Sequence, residues 1–266
     1  MIRQGLERLA RLARPLLLNE SRCPGCGRVA QAASGRDSAL CPDCRAGLAP
    51  HQGAACPGCG QLPTMPPEVR PTIPQEVRLE VPQALPALCA DCRAAPRPWG
   101  RLVAWGAYEG RLRELILGYK FEARLDLGRQ LQECLLAAFA RGAAAFPELE
   151  RCELLVPVPL HPRRLAWRGF NQSRELARLV ARRRGLPIRQ EALARVRRTV
   201  PQMELDRSER AENIRGAFAA RPDLLSGRTA LLVDDIMTTG STLEECARMM
   251  LASGATAVHV LVLARA

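Results

Sequence analysis

The N-terminal third of this chain cannot be organised by an ordinary hydrophobic core, because cysteine sets its pattern. Cys-Pro-Gly-Cys-Gly at 23–27 and Cys-Pro-Asp-Cys-Arg at 41–45 are followed by Cys-Pro-Gly-Cys-Gly at 56–60 and Cys-Ala-Asp-Cys-Arg at 89–93, an internal duplication. Eight of the 11 cysteines lie in these four pairs, at the spacing of metal knuckles. Each copy supplies four thiolates. That closes a tetrahedral zinc site and leaves no open position for catalysis, so both sites are expected to be structural. The sequential sets are Cys23, Cys26, Cys41 and Cys44, then Cys56, Cys59, Cys89 and Cys92; interleaved pairing is the alternative. Gly27 and Gly60 are expected at positive φ, where the backbone folds back toward sulfur. A ribbon this small is held by its metal, worth roughly 10–16 kcal/mol in zinc peptides. Redox dithiols fit less well, since they occur singly beside a βαβ unit. An iron–sulfur cluster is a further outsider.

The sequence around the knuckles divides into three segments. Residues 1–19 place Leu6, Leu9, Leu12 and Leu16 at helical spacing, which predicts an amphipathic helix docked on the next domain, with a membrane-surface or partner helix as the alternative. The arginines among them exclude a signal peptide. Residues 20–98 form the double zinc ribbon, interrupted by a loop at 61–88 with seven prolines. The stretch 99–266 returns to globular alternation, with 99–150 expected as a hood and 151–266 as a core. No apolar run reaches membrane length; free thiols and metal knuckles suggest the cytoplasm. The formal charge of +12, from 39 basic and 27 acidic residues, permits polyanion binding without proving it. All the basic residues are arginine except Lys120.

In the globular part, the pattern predicts strands at 101–108, 153–159, 193–196, 216–219, 229–233 and 257–263. Helices are expected at 111–117, at 125–140, from Asn171 to Arg184, and at 242–252. This is an α/β alternation with a mostly parallel sheet and helices on both faces. Its most informative stretch is Leu231-Leu232-Val233-Asp234-Asp235-Ile236-Met237-Thr238-Thr239-Gly240-Ser241-Thr242. Open α/β sheets bind ligands beyond the carboxyl ends of their strands, where Asp234 and Asp235 would lie. Thr238 to Thr242 offer hydroxyls and N–H groups at a helix N-terminus, a cradle for phosphate. Adjacent acids would repel a bare polyphosphate, so a ribose phosphate fits better: hydroxyls for the acids, phosphate for the turn.

This motif resembles the phosphoribosyl-pyrophosphate (PRPP) loop of type I phosphoribosyltransferases. Nearly the whole chain resembles the ComF family of competence-associated proteins. The resemblance rests on the paired knuckles, Tyr119-Lys120-Phe121, Val156-Pro157-Val158-Pro159, Arg168-Gly169-Phe170-Asn171-Gln172, Thr199, Gln202, Arg210, Asn213 and Ala217-Phe218. It implies that Asp234 and Asp235 hold the ribose, that Thr238, Thr239, Gly240, Ser241 and Thr242 hold the 5-phosphate, and that magnesium rides on the pyrophosphate. It places Pro157 to Leu160 like a pyrophosphate loop and Arg197 to Arg210 like a mobile active-site loop. Three functions stay open: a factor in DNA uptake or use that binds single strands beside the uptake machinery, an active salvage or biosynthetic transferase, and a zinc-ribbon regulator that senses PRPP.

Other residues carry weaker expectations. Lys120, the one cation that is not arginine, is expected at the PRPP phosphates, because a compact ammonium enters a confined pocket that a planar fork does not. Arg164 and Arg168 are candidate pyrophosphate ligands, with Arg163 beside them. His161 is expected at the surface, Trp167 and Phe170 in packing before base stacking. Asp206, Arg207 and Arg210 are expected to gate the site or to lie on a helix surface. Cys134, Cys152 and Cys246 read as buried thiols.

Overall fold

The computed structural model describes residues 22–29, 40–48, 50, 53, 55–61, 87–122, 124–197, 199 and 207–266. The expected helix at 1–19, most of the proline-rich loop and Asp206 lie outside them. Four strands form a parallel sheet: β1 (Leu102–Ala107), β2 (Leu154–Pro157), β5 (Thr229–Met237) and β6 (Ala257–Arg265), in the order β1-β6-β5-β2. A separate antiparallel pair joins β3 (Leu193–Arg195) to β4 (Phe218–Ala220). The helices are α1 (Pro42–Ala46), α2 (Ala90–Ala94), α3 (Gly110–Phe121), α4 (Gly128–Ala145), α5 (Pro162–Arg168), α6 (Gln172–Arg184), α7 (Arg207–Ile214), α8 (Pro222–Leu225) and α9 (Ser241–Ala252).

Parallel strands buried on both faces read as continuous apolar runs, and the alternation of side chains divides the core in two. Leu155, Leu231, Val233, Leu261 and Leu263 pack with Leu115 and Ile116 of α3, Leu135 and Phe139 of α4 and Leu176 and Val180 of α6. Leu154, Val156, Ala230, Leu232, Val260 and Val262 pack with Leu243, Cys246 and Met250 of α9 and with Phe218. The sheet is therefore covered on both sides, as the alternation implies.

Residues 99–150 do more than a hood would. Their strand β1 pairs with β6 as an edge of the main sheet, and α4 packs against one sheet face. Helix α3 brings Lys120 to Asp235 at the carboxyl edge of the sheet. It is longer than its predicted seven residues, because helical spacing of Leu112, Leu115, Ile116 and Tyr119 continues past Gly118. Helix α6 runs as expected, with the Asn171 carboxamide oxygen accepting N–H bonds from Ser173 and Arg174 and Gly185 ending it in the left-handed region.

Candidate functional site

Strand β5 continues beyond its apolar run and carries Asp234 and Asp235 to the carboxyl edge of the sheet, both buried. The Asp234 carboxylate accepts from the Ser173 hydroxyl at 2.8 Å and from the Asp235 N–H at 2.9 Å. Asp235 accepts the Ile236 N–H at 2.9 Å and forms an ion pair with Lys120 at the end of α3. Burial pushes the Asp234 carboxyl up to about 6, although Lys120, Ser173, Arg195 and Arg168 all pull it down. Burial likewise lowers the Lys120 ammonium to about 8, with Asp234 opposing the shift and Arg168 and Arg164 adding to it.

The turn after β5 opens α9 through Gly240 at φ 90°, a left-handed position. Glycine is required there by conformation, and a Cβ would in addition push aside the Met237 methyl, 2.7 Å away. Thr239 and Ser241 hydroxyls lie 3.0 Å apart. Thr238 is exposed, Ser241 is buried, and Thr239 and Thr242 are half-buried. The loop after β2 lies alongside, where the Val158 N–H donates to the Val233 carbonyl and the Asn171 amide donates to the Val158 carbonyl.

Several cations face the acids. Arg168 donates to Gln172 at 2.7 Å and lies over the Phe121 ring at 5.4 Å, while its Nε is buried without a hydrogen-bond partner among the described residues. Arg195, at the end of β3, donates to the Thr199 hydroxyl and lies over Phe218, and its Nε is also buried without a hydrogen-bond partner among the described residues. Burial depresses both guanidiniums; Arg164 adds to each shift and Asp234 opposes it. Arg195 and Ser173 were missed in the sequence. Ser173 could have been found two residues beyond Asn171, whereas nothing marks Arg195 among so many arginines.

Other candidates divide. Arg163 and Arg164 are exposed. His161 caps α5, its Nδ1 accepting the Arg163 N–H at 3.3 Å. Phe170 packs edge-on against Tyr119 with ring centroids 5.2 Å apart. Trp167 is exposed, on a helix that buries none of its residues. Arg207 and Arg210 belong to α7.

The cysteines gather in the sequential sets, each with its ligand atoms within 4.8 Å of one another. A tetrahedron with zinc–sulfur bonds of about 2.3 Å has edges of about 3.8 Å. The Cys26–Cys41 and Cys59–Cys89 sulfur separations are both 3.7 Å, so the donor sets fit zinc. Burial raises the Cys23 thiol, but N–H groups of Cys41, Cys26 and Gly25 outweigh it and hold it at about 6. Cys56 is held at about 7 in the same way by Cys89, Cys59 and Gly58. Gly27 and Gly60 both adopt positive φ.

The second set is tied to the turn that opens α9. The Trp99 indole donates to the Gly58 carbonyl at 2.8 Å. Arg97, beside the Trp99 ring, pairs with Glu244 in the first turn of α9. Arg265 donates to the Cys59 carbonyl at 2.8 Å and to the Met237 carbonyl at 3.4 Å.

Residues 176–266 match the family model described as phosphoribosyl transferase domain. The chain is 38% identical over 178 residues to DNA utilization protein YhgH of Escherichia coli strain K12, covering 66% of this chain and 77% of the relative. It is 30% identical over 228 residues to Competence protein F of Haemophilus influenzae, covering 85% and 96%. Against Competence protein ComFC of Bacillus subtilis it is 25% identical over 230 residues, covering 82% and 80%. Among the described residues, no helix is long and apolar enough to cross a membrane.

Proposed function

The chain belongs to the ComF family of competence and DNA-utilization proteins, and from that premise we propose that it binds PRPP and single-stranded DNA and acts in the use of incoming DNA. One observation carries the ligand assignment: two buried carboxylates end a strand directly before a glycine turn that opens a helix, with cations gathered around them. A bare phosphate would meet repulsion from Asp234 and Asp235. A ribose gives them hydroxyl donors, leaving the 5-phosphate to the Thr238 to Thr242 turn. Lys120, Arg164, Arg168 and Arg195 then suit the diphosphate, which brings its own magnesium. Lys120 holds Asp235 in the free chain and is the cation we assign to turn toward that diphosphate.

The DNA assignment is supported by the +12 charge and by the names of the relatives. Binding is expected to have little sequence preference and to weaken steeply with salt, as counterion release requires. Calorimetry of PRPP with magnesium, set against ribose 5-phosphate and pyrophosphate alone, tests the pocket; PRPP should bind more tightly than either fragment. Fluorescence anisotropy of a labelled oligonucleotide across a salt series tests the second ligand. No heat with PRPP, or no oligonucleotide binding at low salt, would remove the corresponding half of the proposal.

A further inference from the structure

Helix α5 is a segment for which the pocket gives no account. It has seven residues and buries none of them, yet it is held in place at both ends, by the His161 cap and by Gly169 in the left-handed region. Helices normally persist because one face is covered. On this one, Trp167 is 70% exposed, the highest value for any large apolar side chain among the described residues, and Leu165 is 41% exposed. Phe121 is 54% exposed and is joined to the helix through the Arg168 guanidinium over its ring. Trp99, by contrast, is buried, so exposure is a property of the Trp167 position and not of the residue type.

The charge along the chain around Trp167 has one sign. From Leu154 to Arg174 the chain has no acidic residue and four arginines, Arg163, Arg164, Arg168 and Arg174. Arg164 and Arg168 are one turn apart, and both act electrostatically on Lys120. Arg163 and Trp167, also one turn apart, occupy the adjoining strip of the same short helix. An exposed aromatic beside arginines and free of acids is complementary to a chain that alternates phosphates with flat rings, and every base has a face to stack. Duplex DNA hides those faces; a single strand presents them.

We infer that α5 and Phe121 form a stacking platform for bases of single-stranded DNA at the mouth of the Asp234–Asp235 pocket, with Arg163 following the phosphates. The inference rests on the DNA-binding half of the proposed function and adds the place where the strand lies. It also sets the strand beside the PRPP site, through Arg168, which touches Phe121 on one side and bonds Gln172 on the other.

The test uses the full zinc-loaded chain, a labelled oligothymidine, an abasic oligonucleotide of equal length and a duplex. Trp167→Ala should weaken oligothymidine binding about 5- to 150-fold, the range for one lost base–aromatic stack. It should leave abasic binding, PRPP calorimetry and the melting temperature unchanged, and Trp167→Phe should restore most of the loss. Phe121→Ala should act in the same direction. Oligothymidine should also quench tryptophan emission in the wild type, with most of that quenching lost in Trp167→Ala. If wild type binds oligothymidine and Trp167→Ala binds it equally well, the platform is wrong and the DNA reading stands. If the variant loses abasic binding to the same extent, or if the duplex binds wild type as tightly as the single strand, stacking is not the interaction and the inference fails. If wild type binds no oligonucleotide at low salt, the DNA reading itself falls.

Discussion

The two cysteine tetrads are copies of one motif, yet they brace different halves of the site. The first lies against the face of the sheet that carries α3: the Arg124 guanidinium donates to the Pro24 carbonyl at 2.5 Å and the Trp105 indole to the Leu48 carbonyl at 3.0 Å. Cys23 and Cys44 share a core with Leu112, Leu115, Ile116 and Tyr119, so this tetrad supports the helix that delivers Lys120. The second shares the opposite core with Trp99, Met237 and Leu243. Through Trp99, Arg97 and Arg265 it holds the turn between β5 and α9. The repeat encodes a metal-binding geometry. What each copy supports is decided by residues outside it.

The largest expected effect follows from that difference. Cys92→Ser and Cys44→Ser should each lower bound zinc from two ions to one in native mass spectrometry. Loss of the second site should weaken PRPP binding about 100-fold, and loss of the first about tenfold, the range found when groups that orient a site are removed. Equal losses would erase the distinction between the tetrads. Next in size is Trp99→Phe, which leaves the buried Gly58 carbonyl without its donor. It should cost roughly 1–3 kcal/mol, read as a fall in melting temperature of roughly 2–4 °C per kcal/mol, and should weaken PRPP binding as well. Trp105→Phe removes the matching bond on the other side and should leave the 5-phosphate contact untouched, which a titration with ribose 5-phosphate would check.

The pH dependence separates the acids from their supports. Asp234 titrates at about 6 in the folded chain and at about 3.9 in an unfolded one. Between those values the folded chain keeps a proton that the unfolded chain has lost, so this group lowers stability as pH rises through the window. Ligand affinity should move the other way, falling below about pH 6 as Asp234 gains its proton. Asp234→Asn should flatten the stability change in thermal melts; a profile unchanged in the variant would assign it elsewhere. The smallest effect expected is that of Lys120→Arg, which should weaken PRPP binding severalfold. Wild-type affinity would show that the Lys120 site accepts a guanidinium.

Much of this was legible in the sequence because the responsible forces are local. Knuckle spacing anticipated the sulfur sets, and Asn171 with Gly185 marked both ends of α6. The apolar run before Asp234 marked β5, although the strand continues past the acids to Met237. What could not be read depends on distant pairing. Arg101 to Tyr108 reads as a strand, but nothing in it says that it pairs with the last strand of the chain and so joins the core. Lys120 was marked by its rarity, but its Asp235 partner lies more than a hundred residues away. Trp167 shows the opposite failure. Its type predicts packing, yet it lies exposed on a helix that buries none of its residues.

The most direct test of the account is calorimetry of PRPP with magnesium on wild type and on Asp234→Asn/Asp235→Asn, with zinc content measured on both. The account predicts binding of one PRPP per chain in wild type and a loss of about 100-fold or more in the variant, as expected when buried charged hydrogen-bond partners are removed. Both proteins should hold two zinc ions. Undiminished affinity in a variant that keeps its metal would contradict it, because the ribose would then be held by something other than the acid pair at the end of β5.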